Sequence, residues 1–302
     1  METKDKEVIR EAVRDRYGEI ARAGEVNSET SQDTSCCSPI QITNEPSQAA
    51  SCCGPSTEAE TSQTASCCGP SDFSVEKMSA YMGYSKEDLE NVPEGANMGL
   101  GCGNPVALAS LKTGETVVDF GSGGGFDCFL AAKEVGETGK VIGVDMTPDM
   151  ISKARKNAES IETDNVEFRL GEIENLPVAD NTADIIMSNC VINLSPDKLS
   201  VYRDAYRVLK PGGRLAISDV LATAPLPEEI RNDLALVGAC IGGAATIEDT
   251  DKMLKEAGFQ DIKIESNDKS RELIREWDPK KSKKGLDYVV SAYIEAVKPL
   301  NH

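Results

Sequence analysis

From Glu115 onward the chain alternates short apolar runs with amphipathic stretches. "TVVDF", "KVIGVDM", "VEFRLG", "ADIIMSNC" and "RLAISDV" are bounded by turn residues and rich in β-branched side chains, which predicts five buried strands. Between them, "GSGGGFDCFLAAKEV", "TPDMISKARKNAES" and "DKLSVYRDAYRVL" read as helices. Thr147 suits the N-cap and Pro148 the first turn of the second of these. "KPGG" is expected to stop the third before strand five. Strand–helix alternation of this kind predicts an α/β fold, Rossmann-like, with a doubly wound, mostly parallel sheet. Past Val220 the pattern loosens. "EEIRNDLALVGACIGGA" predicts a helix running into Cys240, "TIEDTDKMLKEAGF" a helix with a glycine stop, and "DIKIES" a strand. "YVVSAYIEAV" is ambiguous by period, and its β-branched and aromatic content favours a strand.

The N-terminal part is different. In residues 4–22, Val8, Ile9, Val13, Tyr17 and Ile20 share one helical face. Between Arg22 and Lys77 there is no Lys or Arg, and Ser, Thr, Glu, Gln and Pro dominate. Such a stretch cannot bury enough apolar surface to fold, so disorder is expected. It carries three copies of E-x-S-Q-x-x-S-C-C-[SG]-P, starting at Glu29, Glu45 and Glu60. The vicinal pairs are Cys36–Cys37, Cys52–Cys53 and Cys67–Cys68. After it, "SVEKMSAYMGYSKEDLENV" predicts one or two helices, and "PEGANMGLGCGNP" a glycine-rich loop holding Cys102. The expected division is a helix at 1–22, a disordered segment at 23–72, a nucleotide-binding domain at 73–220, and a C-terminal α+β extension at 221–302 that completes the sheet.

Composition narrows the function classes. A net charge of −19 argues against nucleic acid or anionic membrane as the main partner. No apolar run approaches the ~18 residues of a membrane span, and the N-terminus starts charged, without the apolar core of a signal peptide. A cytoplasmic monomer is expected. There thiols stay reduced, so ten cysteines read as metal, metalloid or redox chemistry. The single histidine is His302, which argues against Ser-His-Asp and Cys-His catalysis and His-based zinc sites. No resident metal is expected.

"VVDFGSGGGFD" places a glycine turn between a strand and a helix, where Gly121, Ser122 and Gly123 let backbone approach a ligand at a helix N-terminus. The dinucleotide fingerprint would need Gly or Ala where Phe126 stands. What fits is D-x-G-x-G-x-G, from Asp119 to Gly125. Asp145, ending the second strand, can accept hydrogen bonds from ribose hydroxyls. Glycine turn, acidic strand end and "KPGG" together resemble the class I S-adenosylmethionine-dependent methyltransferases over residues 115–220. The resemblance implies cofactor contacts from Asp119, Gly121, Ser122, Gly123, Gly125, Asp145 and Met146. Glu172 and Ile173 would flank the adenine, and Asn189 would help position the cofactor. An unrelated Rossmann-like domain is the competing reading.

Cys190 closes strand four, where ligands bind in this architecture. Alone it would read as a buried structural thiol, as does Cys128 inside its helix. Cys102 between Gly101 and Gly103, and Cys240 in "GACIGGA", change that. Three thiols with small neighbours and no histidine suit a soft, three-coordinate guest, and trivalent arsenic fits. Zinc would want a fourth ligand. "YSKEDLENVPEGANMGLGCGNP", "VVDFGSGGGFDCFLAA", "GVDMTPDMISKAR", "SNCVINLSPDK", "CIGGA" and "VRDRYGEIA" resemble the arsenite S-adenosylmethionine methyltransferases. That resemblance implies that Cys102, Cys190 and Cys240 bind arsenite or methylarsenite, and that the products are methylated arsenicals of arsenic detoxification. Thioredoxin or glutathione is the expected reductant. The tandem thiol pairs exceed what the family pattern requires. They read as arsenic capture, as a thiol relay, or as a repeat expansion with little effect on turnover. Two other classes compete: a methyltransferase of a small quinone-like acceptor, and a non-catalytic metalloid-sequestering protein.

Overall fold

The computed structural model describes residues 6–29, 74–271, 274 and 286–300. The described helices are α1 (Lys6–Glu29), α2 (Val75–Met82), α3 (Lys86–Glu90), α4 (Pro105–Ala109), α5 (Phe126–Val135), α6 (Pro148–Ser160), α7 (Lys198–Val208), α8 (Glu228–Arg231), α9 (Leu234–Gly238) and α10 (Ile247–Ala257). The strands are β1 (Thr116–Phe120), β2 (Lys140–Asp145), β3 (Val166–Leu170), β4 (Ala183–Asn189), β5 (Leu209–Ala222), β6 (Gln260–Asn267) and β7 (Val289–Val297). They form one seven-stranded sheet in the order β3-β2-β1-β4-β5-β7-β6. The first five are parallel, and β7 runs antiparallel to β5 and β6. The doubly wound, mostly parallel sheet expected from the alternation is therefore present, with the C-terminal extension adding two strands.

The strands are apolar on both sides because both faces are covered. Val118, Phe120, Ile142 and Val144 bury into one core, with Val201, Tyr202 and Leu254. Their sequence neighbours Val117 and Val141 bury into the other, with Phe129, Ile151 and Phe168. That alternation is the two-residue period of a strand. Between β1 and β4 the strand order reverses, so the loops after these two strands part and leave a crevice at their carboxyl ends.

Four boundaries differ from expectation. Helix α1 continues past Arg22 to Glu29, so the helix enters the stretch that composition assigned to disorder. The Cys-pair repeats themselves lie outside the described residues. Residues 228–243 do not make one helix: Asp233 caps Ala235 through its side chain and starts a second short helix, and Cys240 turns left-handed at φ 60. "KPGG" sits inside β5 as an irregularity in its pairing with β4, with Gly212 at φ 82. Thr147 occupies the N-cap of α6 but makes no side-chain cap; its backbone N–H donates to Asp145 instead, at 2.8 Å. No helix among the described residues is long and apolar enough to cross a membrane.

Helix α1 lies across the carboxyl end of the sheet. Val13 buries beside Cys102, Cys190 and Cys240, with Ile9 and Tyr17 packed alongside. Ion pairs hold it: Lys6 to Asp197, Arg10 to Glu172 and Glu174, and Arg22 to Asp149. Most of these are exposed at one partner and contribute little singly.

Candidate functional site

A cleft of about 470 Å³ opens at the carboxyl ends of β1, β2 and β4. Its floor is the turn after β1. Gly121 adopts φ 66, and a Cβ there would lie 2.2 Å from Val191 Cγ2. The backbone can therefore come this close only with no side chain at all. The Gly123 N–H donates to Asp145 Oδ2 at 3.0 Å, which ties the turn to the end of β2. Both Asp145 oxygens thus accept one backbone N–H, and the Thr147 hydroxyl bonds the same carboxylate. Burial raises the Asp145 pKa above the usual carboxylate range.

Ser122, Gly123, Gly124, Asp119, Asp145, Met146, Ile173 and Asn189 line the same cleft. The Ser122 hydroxyl is buried and has no hydrogen-bond partner. The structure sets two expected cofactor residues elsewhere. Gly125 is not on the cleft wall; a Cβ there would meet Phe129 and Phe168 at 2.7 and 2.8 Å, so its bareness serves helix packing. Glu172 is turned toward Arg10, 3.3 Å away, and leaves the wall to Gly171, Ile173 and Glu174. Asp119 is buried and accepts from the Cys128 thiol at 3.2 Å. Burial, and then the neighbouring Asp127 carboxylate, push its pKa well up. Cys128 is fully buried in the core, as expected.

The cleft leads to the thiols. Cys102, Cys190 and Cys240 fall in one buried cluster with Val13, Leu194 and Val220. Both of the other thiols act on the protonation of the Cys190 thiol. Cys240 Sγ donates to the Cys190 carbonyl at 3.0 Å, and Cys102 Sγ lies 3.4 Å from Ser218 Oγ. All of the described cysteines are free. Cys190 and Cys240 both sit left-handed, at φ 59 and φ 60, a conformation that costs a side-chain-bearing residue about 1–2 kcal/mol. Such strain is concentrated at functional sites. Among the described residues no group of three His, Cys, Asp or Glu is arranged to hold a metal ion; the sulfurs are adjacent without converging on a preformed centre.

The electrostatics favour neutral thiols. Burial raises the Cys102 pKa. Donating to Cys102 and Cys240, together with burial, raises that of Cys190 further. Tyr17, on α1, closes the thiol end: its hydroxyl donates to Gly238 O at 3.4 Å and lies 4.0 Å from Cys240 Sγ. On the same wall, Arg16 Nε is buried without a hydrogen-bond partner.

Two groups that hold Asn189, Tyr84 and Asp127, escaped sequence reasoning. Asn189 accepts the Cys102 N–H at 2.9 Å, and its amide nitrogen lies 2.9 Å from Gly103 O, 3.0 Å from Tyr84 Oη and 3.2 Å from Asp127 Oδ2. Tyr84 donates to Asp127 Oδ1 at 2.5 Å. Burial lifts the Asp127 pKa to about 6, against those two hydrogen bonds. The signal was slight: an acid in the first turn of a glycine-led helix, and a tyrosine closing "AYMGY".

Comparison with known proteins supplies the rest. Residues 111–258 match the family model of a methyltransferase domain. An arsenite methyltransferase of Halobacterium salinarum is 47% identical over 98% of this chain and 68% of its own length. One from Aquipseudomonas alcaligenes is 45% identical over 57% of this chain and 51% of the relative, so the chain spans about half of that protein. The crystal structure of an arsenic(III) S-adenosylmethionine methyltransferase from Chlamydomonas reinhardtii superposes with a TM-score of 0.55 at 33% identity, covering 74% of this chain and 73% of that one.

Proposed function

Because the chain belongs to the arsenite methyltransferases, we propose that its three buried thiols hold trivalent arsenic at the end of the cofactor cleft. The activity is S-adenosylmethionine-dependent methylation of arsenic. The observation that carries the site reading is the meeting of Cys102, Cys190 and Cys240, from three distant segments, in one buried cluster against the cleft.

The cleft fits the cofactor. It offers an unpartnered buried hydroxyl at Ser122 and the Asp145 carboxylate at the end of β2. Its turn at Gly121 has no room for a side chain, and a cationic Nε without a partner stands at Arg16. Asp145 would take the ribose hydroxyls, Gly121–Gly123 the close backbone approach, Met146 and Ile173 the adenine, and Arg16 the α-carboxylate. When bound, S-adenosylmethionine supplies an electrophilic methyl on a sulfonium.

The protein's own part is to bind arsenic and aim it. Arsenite exists near neutrality as As(OH)₃. Each thiol gives its proton to a departing hydroxide, so that one As–S bond forms, one As–O bond breaks and one water leaves. Neutral thiols are therefore the right reactants, the form that burial favours at Cys102 and hydrogen bonding to its two neighbours favours at Cys190. Arsenic bound to three sulfurs keeps its lone pair and has no proton on the reacting atom. It needs no general base, which suits a chain whose single histidine is its residue 302. Positioning can then supply much of the rate, up to about 7–11 kcal/mol. Methylation raises arsenic formally to the pentavalent state. Two site sulfurs return two electrons by leaving as a disulfide, Cys102 with Cys190. Thioredoxin or glutathione restores the thiols by exchange.

The tests are direct. Transfer of a labelled methyl group to arsenite, with a thiol reductant present, is expected; absence of labelled methylarsenicals would reject the reading. Cys102→Ser is expected to lose methylation of arsenite by about a hundredfold or more, as an effect of about 3 kcal/mol on the barrier. It should retain methylation of methylarsenite, which has two exchangeable hydroxyls and needs two thiols. Product analysis by chromatography with elemental detection distinguishes the two.

For the six thiols at Cys36, Cys37, Cys52, Cys53, Cys67 and Cys68, we propose capture and hand-over of arsenic on a tether, which raises its effective concentration at the site. Deleting residues 30–70 is then expected to raise KM for arsenite and leave kcat unchanged; an unchanged KM would leave the repeats without that role. We further propose a cytoplasmic monomer. Its ten cysteines suit a reducing compartment, and the exposed large apolar side chains of the described residues are scattered along the chain.

A further inference from the structure

The three thiols are not anchored alike. Cys190 and Cys240 are fixed to each other and to the strand ends. The Cys190 N–H donates to Ser218 O at 2.7 Å, the Cys240 thiol to the Cys190 carbonyl at 3.0 Å, and Asn193 Nδ2 to the Cys240 carbonyl at 3.3 Å. Cys102 belongs to a separate loop. That loop is stitched to β4 on either side of the cysteine by one residue, Asn189, which takes the Cys102 N–H and reaches the Gly103 carbonyl. The loop backbone lies so close that a Cβ at Gly101 would fall 2.7 Å from the Asn189 amide nitrogen. Behind it, Asp127 and Tyr84 hold the carboxamide and each other. Asn189 was expected to serve the cofactor; its hydrogen bonds serve the thiol loop.

We infer that Asn189, held by Asp127 and Tyr84, is the positioning residue that keeps Cys102 against the other two thiols, and so decides between arsenite and methylarsenite as substrate. The inference rests on the three-thiol reading of the site. As(OH)₃ exchanges three hydroxyls for three thiols and leaves three waters. CH₃As(OH)₂ exchanges two, and Cys190 with Cys240 suffices. Loosening Asn189 frees Cys102 and penalises the first substrate selectively. Asp127 and Tyr84 are hydrogen-bonded to none of the three cysteines, so their hold on Cys102 runs through Asn189, and the ratio of the two substrates separates it from any effect of Asp127 on the cofactor cleft it lines.

The test sets Tyr84→Phe, nearly isosteric, and Asp127→Asn beside Cys102→Ser. Each is assayed for methylation of arsenite and of methylarsenite, and X-ray absorption at the arsenic edge counts sulfurs around bound arsenite. The ratio of arsenite to methylarsenite turnover is expected to fall about tenfold or more in both network variants, the scale of lost support behind a metal ligand. The sulfur count should drop from three toward two, with oxygen replacing the third. An unchanged ratio with three sulfurs in both variants would overturn the inference. So would a parallel fall of both activities with a lowered melting temperature, which marks a purely structural role. If Cys102→Ser itself methylates arsenite normally, the three-thiol reading fails, and that result is distinct from either of the others.

Discussion

Cys190→Ser is expected to abolish methylation of arsenite and methylarsenite alike, lowering both rates by about a thousandfold or more, which corresponds to about 4 kcal/mol on the barrier. Cys190 is the central member of the cluster. Both other thiols act on its protonation, and its carbonyl takes the Cys240 thiol, while Cys102 and Cys240 each have a further partner, Ser218 and Tyr17. It also stands directly after β4, at the mouth of the cofactor cleft. A serine hydroxyl there keeps the shape but offers a hard oxygen to a soft acceptor. Neither the three-thiol nor the two-thiol complex then forms. Cofactor binding is expected to stay within about threefold, since calorimetry with S-adenosylmethionine reads contacts made by the β1 turn and Asp145. Turnover of either arsenical within tenfold of the parent would remove Cys190 from the site.

Gly121→Ala is expected to weaken cofactor binding by about tenfold or more and to lower turnover further still. Two effects combine. The residue is left-handed at φ 66, which penalises any side chain by about 1–2 kcal/mol. The new methyl also falls 2.2 Å from Val191 Cγ2 and 2.7 Å from Cγ1, so Val191 has to move. Val191 follows Cys190 in the chain, and its displacement carries the central thiol with it. The cofactor floor and the arsenic site thus respond to one substitution. Val191→Ala removes both clashing carbons and should restore part of the turnover in the Gly121→Ala background. A double-mutant cycle measures that coupling. Additive losses would show that the two sites do not communicate through this contact.

The fold was largely legible because period carries it. "TVVDF", "KVIGVDM" and "VEFRLG" have turn residues on either side and apolar residues on both faces, which is what a covered parallel strand needs. The glycine turn and Asp145 were legible because their spacing is local. Glu172 and Gly125 misled for the same reason: position along a motif says which strand end a residue occupies, but not which way it faces. Glu172 faces Arg10 on a helix more than a hundred residues earlier. Tyr84, Asp127 and Asn189 meet from three separate elements, and no local pattern announces such a meeting. The helix break at Asp233 was hidden because an aspartate inside an apolar run reads equally as an exposed position or a cap. The three site cysteines were an intermediate case: chemistry named them as a set, while only the chain's path through β4, the Gly101–Gly103 loop and the turn after α9 brings them together.

The backbone at Cys190 and Cys240 has a practical corollary for anyone seeking a hardier version of this enzyme. Both positions favour glycine or asparagine on conformational grounds alone. A library ranked by heat tolerance would therefore be drawn to these two codons, and its best survivors there would be inert toward arsenic. Hardening and bioremediation performance pull in opposite directions at these positions, so a useful campaign would fix both cysteines and search elsewhere.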